Sequence, residues 1–475
     1  MATWAPPEPS TSGDTQLDRY FHITERGSTV RTELVGGLAT WLTMSYILFV
    51  NPQILGAVTD KNGTTLGFGQ VLSVTALVAG ILCLAMGLYA NYPFAMAAGL
   101  GLNAFVAFFL VGAVGLTWPQ AMGIIVIEGV VITLLVLTGF RTLVLNAIPM
   151  DLKRAIGIGI GAFIAFIGLS TGCNDPGGCK GIVVTGQGTF VALNPNLSNL
   201  RILVFAIGLA VTAALVARKM KGALLFGILF TTILATIINQ GFGHSAIWTN
   251  GIAHWPSKWI SAPHFNLVGK FSFAHGSLAF WTFVAIVLSV MLSDFFDTMG
   301  TVVGIAGEAG MLDEDGTLPG INRVLLVDSL GAALGGAASA SSNTTYIESA
   351  AGVSEGARTG LASVVVGVLF LLSLFVSSLA GVIPPEATAP VLVIVGYFMM
   401  TMVKDIDWPD PGIGIPALLT IVMMPFTFSI TNGVGAGFIS YTVIAVLRGR
   451  AKDVHWLMYL VSAVFGWYFW HGLLA

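Results

Sequence analysis

Long apolar runs separated by short polar stretches dominate the chain from Arg31 onward. A membrane helix needs about 20 mostly apolar residues. Runs of that kind fall near residues 34–55, 70–89, 94–112, 118–138, 150–170, 200–217 and 222–240. A polar, Trp-containing stretch covers 241–276, and a second series follows near 279–305, 321–338, 344–357, 359–381, 386–403, 413–429 and 431–448. The pattern predicts an all-α polytopic membrane protein with seven spans on each side of the polar stretch. A last aromatic segment, His455 to Trp470, spans, lies in the interface or packs on the bundle. The expected layout is a disordered tail over 1–31, a first seven-span repeat over 32–240 and an extracytoplasmic loop over 241–278. A second repeat over 279–450 and a hydrophobic segment over 451–475 complete it.

Composition sharpens the class. Of 475 residues 55% are apolar and 9% charged, against roughly 25% charged in an ordinary soluble domain. That excludes a cytosolic enzyme, a nucleic-acid binder and a disordered chain, and leaves the lipid bilayer as the main surroundings. The net charge of −3 says nothing about partners. The first 20 residues lack a basic n-region and a small-residue cleavage site, so they read as a tail and not a signal peptide. Arg26, Arg31, Arg141, Arg218, Lys219, Lys221, Lys404, Arg448 and Arg450 fall on one side of the predicted spans, with Lys258 and Lys270 opposite. By the positive-inside rule this places the N-terminus in the cytoplasm and the protein in the cell's inner (plasma) membrane. Cys83 reads as a buried small hydrophobe. Cys173 and Cys179 flank a Gly-rich loop and are either a disulfide or two separate thiols; without nearby His they make no metal site.

Two spans look interrupted. Span three follows NYPFAM and reads AAGLGLNAF, and span ten follows GGAASASSN and reads TTYIESAAG. Pro93, Gly99 and Gly101 disfavour a continuous helix through span three. Irregular backbone at membrane depth is tolerated where it is buried or lines a cavity. Half-helices in corresponding positions of two repeats therefore point to a binding site. The intramembrane acids point the same way, because an ionised carboxylate at a helix centre costs about 2.5–3.5 kcal/mol. Asp294 and Asp297 lie three apart in span eight and Glu348 lies in span ten, with no Lys or Arg near the middle of either span. Such a carboxyl serves as a proton carrier, or as an acceptor for the N–H donors of a planar heterocycle. Glu128 in span four and Asp328 in span nine are expected to cap helices or bond backbone amides.

At these residues the chain resembles the AzgA-like branch of the nucleobase–cation symporter 2 family, the adenine/guanine/hypoxanthine permeases. The stretches that carry the resemblance are RTELVGGLATWLTMSYILFVNPQIL, AAGLGLNAF, GIGIGAFIAFIGL, SDFFDTMGTVVGIAGEAG, SSNTTYIESAAGVSEGARTGL and MMPFTFSITNGVGAGFISY, from Arg31 to Tyr441. The resemblance implies fourteen spans in two inverted seven-span repeats. Spans 1–4 and 8–11 would form a core and spans 5–7 and 12–14 a gate, with short strands pairing before the half-helices of spans three and ten. It further implies a secondary active transporter that imports purines by elevator-type alternating access, without a cofactor, in a family whose members often pair as homodimers.

Carried over residue by residue, the span-ten acid after Asn343-Thr344-Thr345-Tyr346 is Glu348, and the span-eight acid before Thr298-Met299-Gly300 is Asp297, with Asp294 the alternative. Backbone amides at the start of span three fall near Ala98 and Gly99. In the expected mechanism Glu348 accepts N–H donors from the base. Asp297 binds a second edge or carries the coupled proton, and Thr345, Tyr346, Phe296 and Thr43 line the cleft. Ser45 is a further candidate, with helix packing as its other role. Proton coupling is favoured over Na⁺ by the resemblance. Rivals on the same architecture are an anion carrier, which two acids at the site would repel, and a uracil or xanthine carrier. A membrane enzyme with a metal on the span-eight acids is disfavoured because no His accompanies them.

Overall fold

The computed structural model describes residues 15–138, 148–171, 181–186, 189–241, 247–248, 252–255, 259–274, 278, 280–313, 318–376 and 382–472. In the first half these form α1 (Gln16–Phe21), α2 (Val30–Met44), α3 (Ile47–Leu55), α4 (Phe68–Ala85), β1 (Met96–Ala98), α5 (Leu100–Ala104), α6 (Trp118–Leu137), α7 (Met150–Thr171), β2 (Val183–Gly186), β3 (Thr189–Leu193), α8 (Leu200–Ala217) and α9 (Ala223–Thr236). The second half holds α10 (Phe280–Glu308), α11 (Ile321–Ala337), β4 (Asn343–Thr345), α12 (Ser349–Ser354), α13 (Gly360–Ser373), α14 (Pro385–Met400), α15 (Pro411–Phe426), α16 (Ile430–Leu447) and α17 (Trp456–Gly472). Among the described residues nine helices are long and apolar enough to cross a membrane, and four shorter apolar helices accompany them.

The helices segregate into two packed groups. α7 packs on α14 and α15, α15 on α16, and α8 on α9 and α14. In the other group α6 packs on α11, while α13 packs on α2 and α4. Lipid offers no hydrophobic drive between helices, so small residues that admit close backbone approach carry the contacts. A β-carbon at Gly161 of α7 would lie 2.9 Å from the carbonyl oxygen of Gly396 in α14, and one at Gly367 of α13 would lie 2.8 Å from that of Gly80 in α4.

The two interrupted segments meet as an antiparallel pair, with Met96 opposite Thr345, Ala97 opposite Thr344 and Ala98 opposite Asn343. All six residues are buried. The ladder continues one bond beyond each end: Gly99 N–H donates to Ser342 O and Tyr346 N–H to Ala95 O, both at 2.9 Å. Cys83 is more than a small hydrophobe, because its thiol receives Met96 N–H at 3.2 Å and reaches Met96 O at 3.3 Å.

Two elements differ from the sequence expectation, and span ten is shorter than the predicted 344–357. Span one is broken at Ser45–Tyr46 into α2 and α3, where Thr43 and Ser45 hydroxyls bond carbonyls of the preceding turn and Pro52 removes a ladder donor downstream. Span ten opens with strand residues Asn343–Thr345, as the resemblance implies, but its helix α12 is only 6 residues long. The segment after α7 carries the antiparallel pair β2–β3, in which Val183 pairs with Leu193 and Val184 with Ala192, residue types that favour strands. Cys173 and Cys179 lie outside the described residues. α17 packs against both α16 and α10.

Candidate functional site

Asp328 of α11 fastens the strand crossover. Its Oδ1 accepts the N–H and the hydroxyl of Thr345, each at 3.0 Å, and its Oδ2 accepts the Thr298 hydroxyl at 2.7 Å. Thr298 of α10 also meets Thr344 Oγ1 at 2.7 Å. A backbone amide is thus the partner of Asp328, as its position in an otherwise apolar helix suggested. Glu128 makes no such bond among the described residues.

Held by this clamp, Glu348 occupies the N-cap position of α12. The break in span one turns Tyr46 toward it, and the Tyr46 hydroxyl donates to Glu348 Oε1 at 2.6 Å. Asp297 of α10 lies within electrostatic reach of Glu348, Asp328 and the phenols of Tyr46 and Tyr346. Asp297 and Glu348 are both partly accessible, whereas Tyr46, Asp328 and Tyr346 are buried. The charged groups that face Asp297 among the described residues are therefore acids.

The other expected contact residues have mostly been absorbed by the fold. Tyr346 is buried and its hydroxyl donates to Ala98 O. Thr345 spends both donors on Asp328, and the Gly99 amide is taken by Ser342 O. Thr43 Oγ1 bonds Ala39 O and Thr40 O and reaches the Glu348 carbonyl at 3.4 Å. Asp294 points elsewhere, to a position beside Glu128. The Phe296 side chain lies outside the described residues.

Two residues emerge that sequence reasoning passed over. Tyr46 sits inside the quoted stretch LTMSYILFVNP, where the closely spaced Thr, Ser and Pro were the signal for a helix break. Asn103, one turn into α5, is fully buried, and neither atom of its carboxamide has a hydrogen-bond partner among the described residues. An amide in that state carries an unrepaid desolvation cost unless something binds there. The two helix groups meet close by. Phe108, which follows α5, and Phe163 and Phe166 of α7 all pack edge-on against Phe428, with ring centroids 5.4–6.3 Å apart. Gly101 of α5 abuts Ile160 of α7.

This arrangement presents two accessible carboxyls, one steered by a phenol, beside an aromatic seam. It suits a flat solute bearing N–H donors. Among the described residues no group of three or more His, Cys, Asp or Glu is placed to hold a metal ion.

Comparison with known proteins gives a consistent picture. Residues 31–435 match the Xan_ur_permease profile, described as a permease family. The chain is 38% identical over 450 residues to the adenine permease AdeQ of Escherichia coli K12, covering 94% of this chain and 95% of that one. It is 38% identical over 463 residues to the guanine/hypoxanthine permease PbuG of Bacillus subtilis 168, covering 95% and 99%. In three dimensions it resembles the transmembrane domain of the cyanobacterial bicarbonate transporter BicA, with a TM-score of 0.59 at 14% identity over 86% of this chain and 97% of that one. SLC26A9 gives a TM-score of 0.60 at 12% identity over 88% of this chain and 66% of that one. At such identities the structural likeness is one of fold alone.

Proposed function

We propose that this chain, which belongs to the Xan_ur_permease family of permeases, imports purine nucleobases by proton symport. It is a multi-pass membrane transporter and not an enzyme. Adenine, guanine and hypoxanthine are the candidate substrates, after its adenine permease relative in Escherichia coli and its guanine/hypoxanthine permease relative in Bacillus subtilis. The observation that carries the reading is the pair Glu348 and Asp297 at the strand crossover, with Tyr46 donating to Glu348 at 2.6 Å.

In this reading the base lies in the seam between the two helix groups. Glu348 accepts N–H donors from one edge, the Tyr46 hydroxyl fixing which carboxylate oxygen is turned to the base. Asp297 takes a second edge or the coupled proton. The group α2–α6 with α10–α13 travels as a core against the gate α7–α9 with α14–α16, along the surface where Phe108 and Gly101 meet α7 and Phe428. An acid pair disfavours an anionic cargo, although the fold neighbours include a bicarbonate carrier. The charge asymmetry of the loops supports a cytoplasmic N-terminus.

The test is uptake of labelled adenine, guanine and hypoxanthine into proteoliposomes under an inward proton gradient, with and without a protonophore. At least one purine should accumulate, the protonophore should abolish accumulation, and Glu348→Gln should lose it. Accumulation that ignores the protonophore, or a fully active Glu348→Gln, refutes the reading.

A further inference from the structure

α10 directs Asp294 and Asp297 to different places. Asp297 turns toward Glu348, while Asp294, one turn earlier and 1% exposed, stands beside Glu128 of α6. Glu128 is fully buried, and neither of its carboxyl oxygens reaches a normal hydrogen bond among the described residues. Among the described residues its polar neighbours include the Asp294 carboxyl and the Ser342 hydroxyl, and that hydroxyl is also fully buried without a bonded partner there.

Register brings these groups together. Asp294 and Thr298 are four residues apart on one face of α10, a rise of about 6 Å. Ser342 and Thr344 are two apart on an extended segment, a rise of about 6.6 Å. Since Thr298 meets Thr344 at 2.7 Å, the same two faces, one repeat earlier, set Asp294 and Ser342 at one level. Asp328 of α11 is the other charge facing Glu128, and three donors hold it as an acceptor. No Lys, Arg or His occurs in α6, in α10 or in the 105–113 stretch packed on α6, and Arg323 lies at the opposite end of α11 from β4.

We propose that Glu128 and Asp294 form a proton-binding site separate from the purine pocket, in which the two carboxyls share one proton and Ser342 completes its hydrogen bonding. Two facing carboxylates with a third charge nearby cannot all stay ionised in a low dielectric. With a proton on either acid, its O–H donates to the partner's oxygen and Ser342 donates to a remaining lone pair, so the Glu128 oxygens gain partners. Asp297 sits one turn further along α10, where it faces Glu348 and Asp328. The site's existence does not depend on the purine reading; its part in transport does.

The experiment is infrared difference spectroscopy of the purified full-length protein across a pH titration, without purine. Wild type should show a protonated carboxyl band that survives in Asp297→Asn, persists in Glu128→Asp, and is lost in both Glu128→Gln and Asp294→Asn. In proteoliposomes Glu128→Gln should bind purine as wild type does, while gradient-driven accumulation drops to the level seen with a protonophore. A band that persists in both Glu128→Gln and Asp294→Asn overturns the proposal. So does the absence of any such band together with a Na⁺-dependent rise in melting temperature that Glu128→Gln abolishes, which would make the pair a sodium site. Should wild type carry no purine, the functional reading fails, yet the infrared band still decides the proton site.

Discussion

The Tyr46 hydroxyl and Glu348 Oε1 stand 2.6 Å apart, joining the break in the first span to the start of α12. A hydrogen bond to a charged group contributes about 1.5–3 kcal/mol. Tyr46→Phe removes the donor and keeps the ring, so the fold should survive while the carboxylate loses its fixed orientation. Purine binding measured by calorimetry should weaken about tenfold to a hundredfold. Unchanged or tighter binding would mean that the phenol competes with the base and does not position its acceptor.

Asp328 makes the crossover a single mechanical unit by tying Thr345 and Thr298 to α11. Asp328→Ala leaves the buried Thr345 N–H unpaired and removes three donors' worth of bonding, at about 1–3 kcal/mol for each orphaned group. We expect a melting temperature in detergent lower by several degrees and loss of purine binding. Asp328→Asn keeps an acceptor for the Thr345 amide and should fall between wild type and Ala. Equal stability of all three proteins would remove Asp328 from its role as a clamp.

Much of this was legible in the chain. Pro93, Gly99 and Gly101, and the Ser-rich approach to Asn343, announce interrupted helices because few other sequences break apolar runs in that way. Asp297 and Glu348 stand out because ionisable groups are costly in lipid. Tyr46 was not legible, since the lipid-facing and inward-facing sides of a membrane helix are both apolar and periodicity cannot rank them. The fate of the Gly99 amide was hidden for another reason: the ladder extends to Ser342, a pairing between distant segments that no local pattern encodes. Nor does the sequence separate Asp294 from Asp297. Three residues on a helix share a broad face, yet the packing of α6 and α12 against that face pulls the two acids to different neighbours.

Asn103 offers a test that separates structure from binding. If its carboxamide served packing alone, removing it would cost stability. An orphaned buried amide is instead a liability of about 1–3 kcal/mol, so Asn103→Leu, of similar size and wholly apolar, should raise the melting temperature while purine uptake is lost. A variant that is less stable and still transports would show the amide to be structural.

The loop between α3 and α4 should respond to acid. Burial pushes the Asp60 carboxyl up, but the N–H groups of Thr64, Trp118 and Asn62, with Lys61 nearby, outweigh it and hold the group below its ordinary value. A carboxyl whose value is depressed in the folded state contributes stability that is present above its unfolded value of about 3.9 and lost as pH falls through the folded one. Hydrogen-exchange protection at Asn62 and Thr64, corrected for intrinsic rates, should hold from neutral pH to about 4 and then decline. Asp60→Asn should be flatter and less protected throughout; protection that declines identically in both proteins would exclude Asp60 as the cause.

Gly101 of α5 and Ile160 of α7 face each other across the two helix groups, and a β-carbon on Gly101 would collide with Ile160 Cγ2. If these groups slide during transport, a bump here should act on movement more than on the resting fold. Gly101→Ala should lower the melting temperature by a few degrees, because Ile160 must shift to admit the β-carbon, while it preserves purine binding and strongly slows purine exchange in proteoliposomes. Trimming the opposing residue with Ile160→Ala should restore exchange in the double variant, a coupling expected of residues in direct contact. Additive losses in the double variant would place the defect within α5 itself. Normal exchange in Gly101→Ala would show that this contact does not lie on the moving surface.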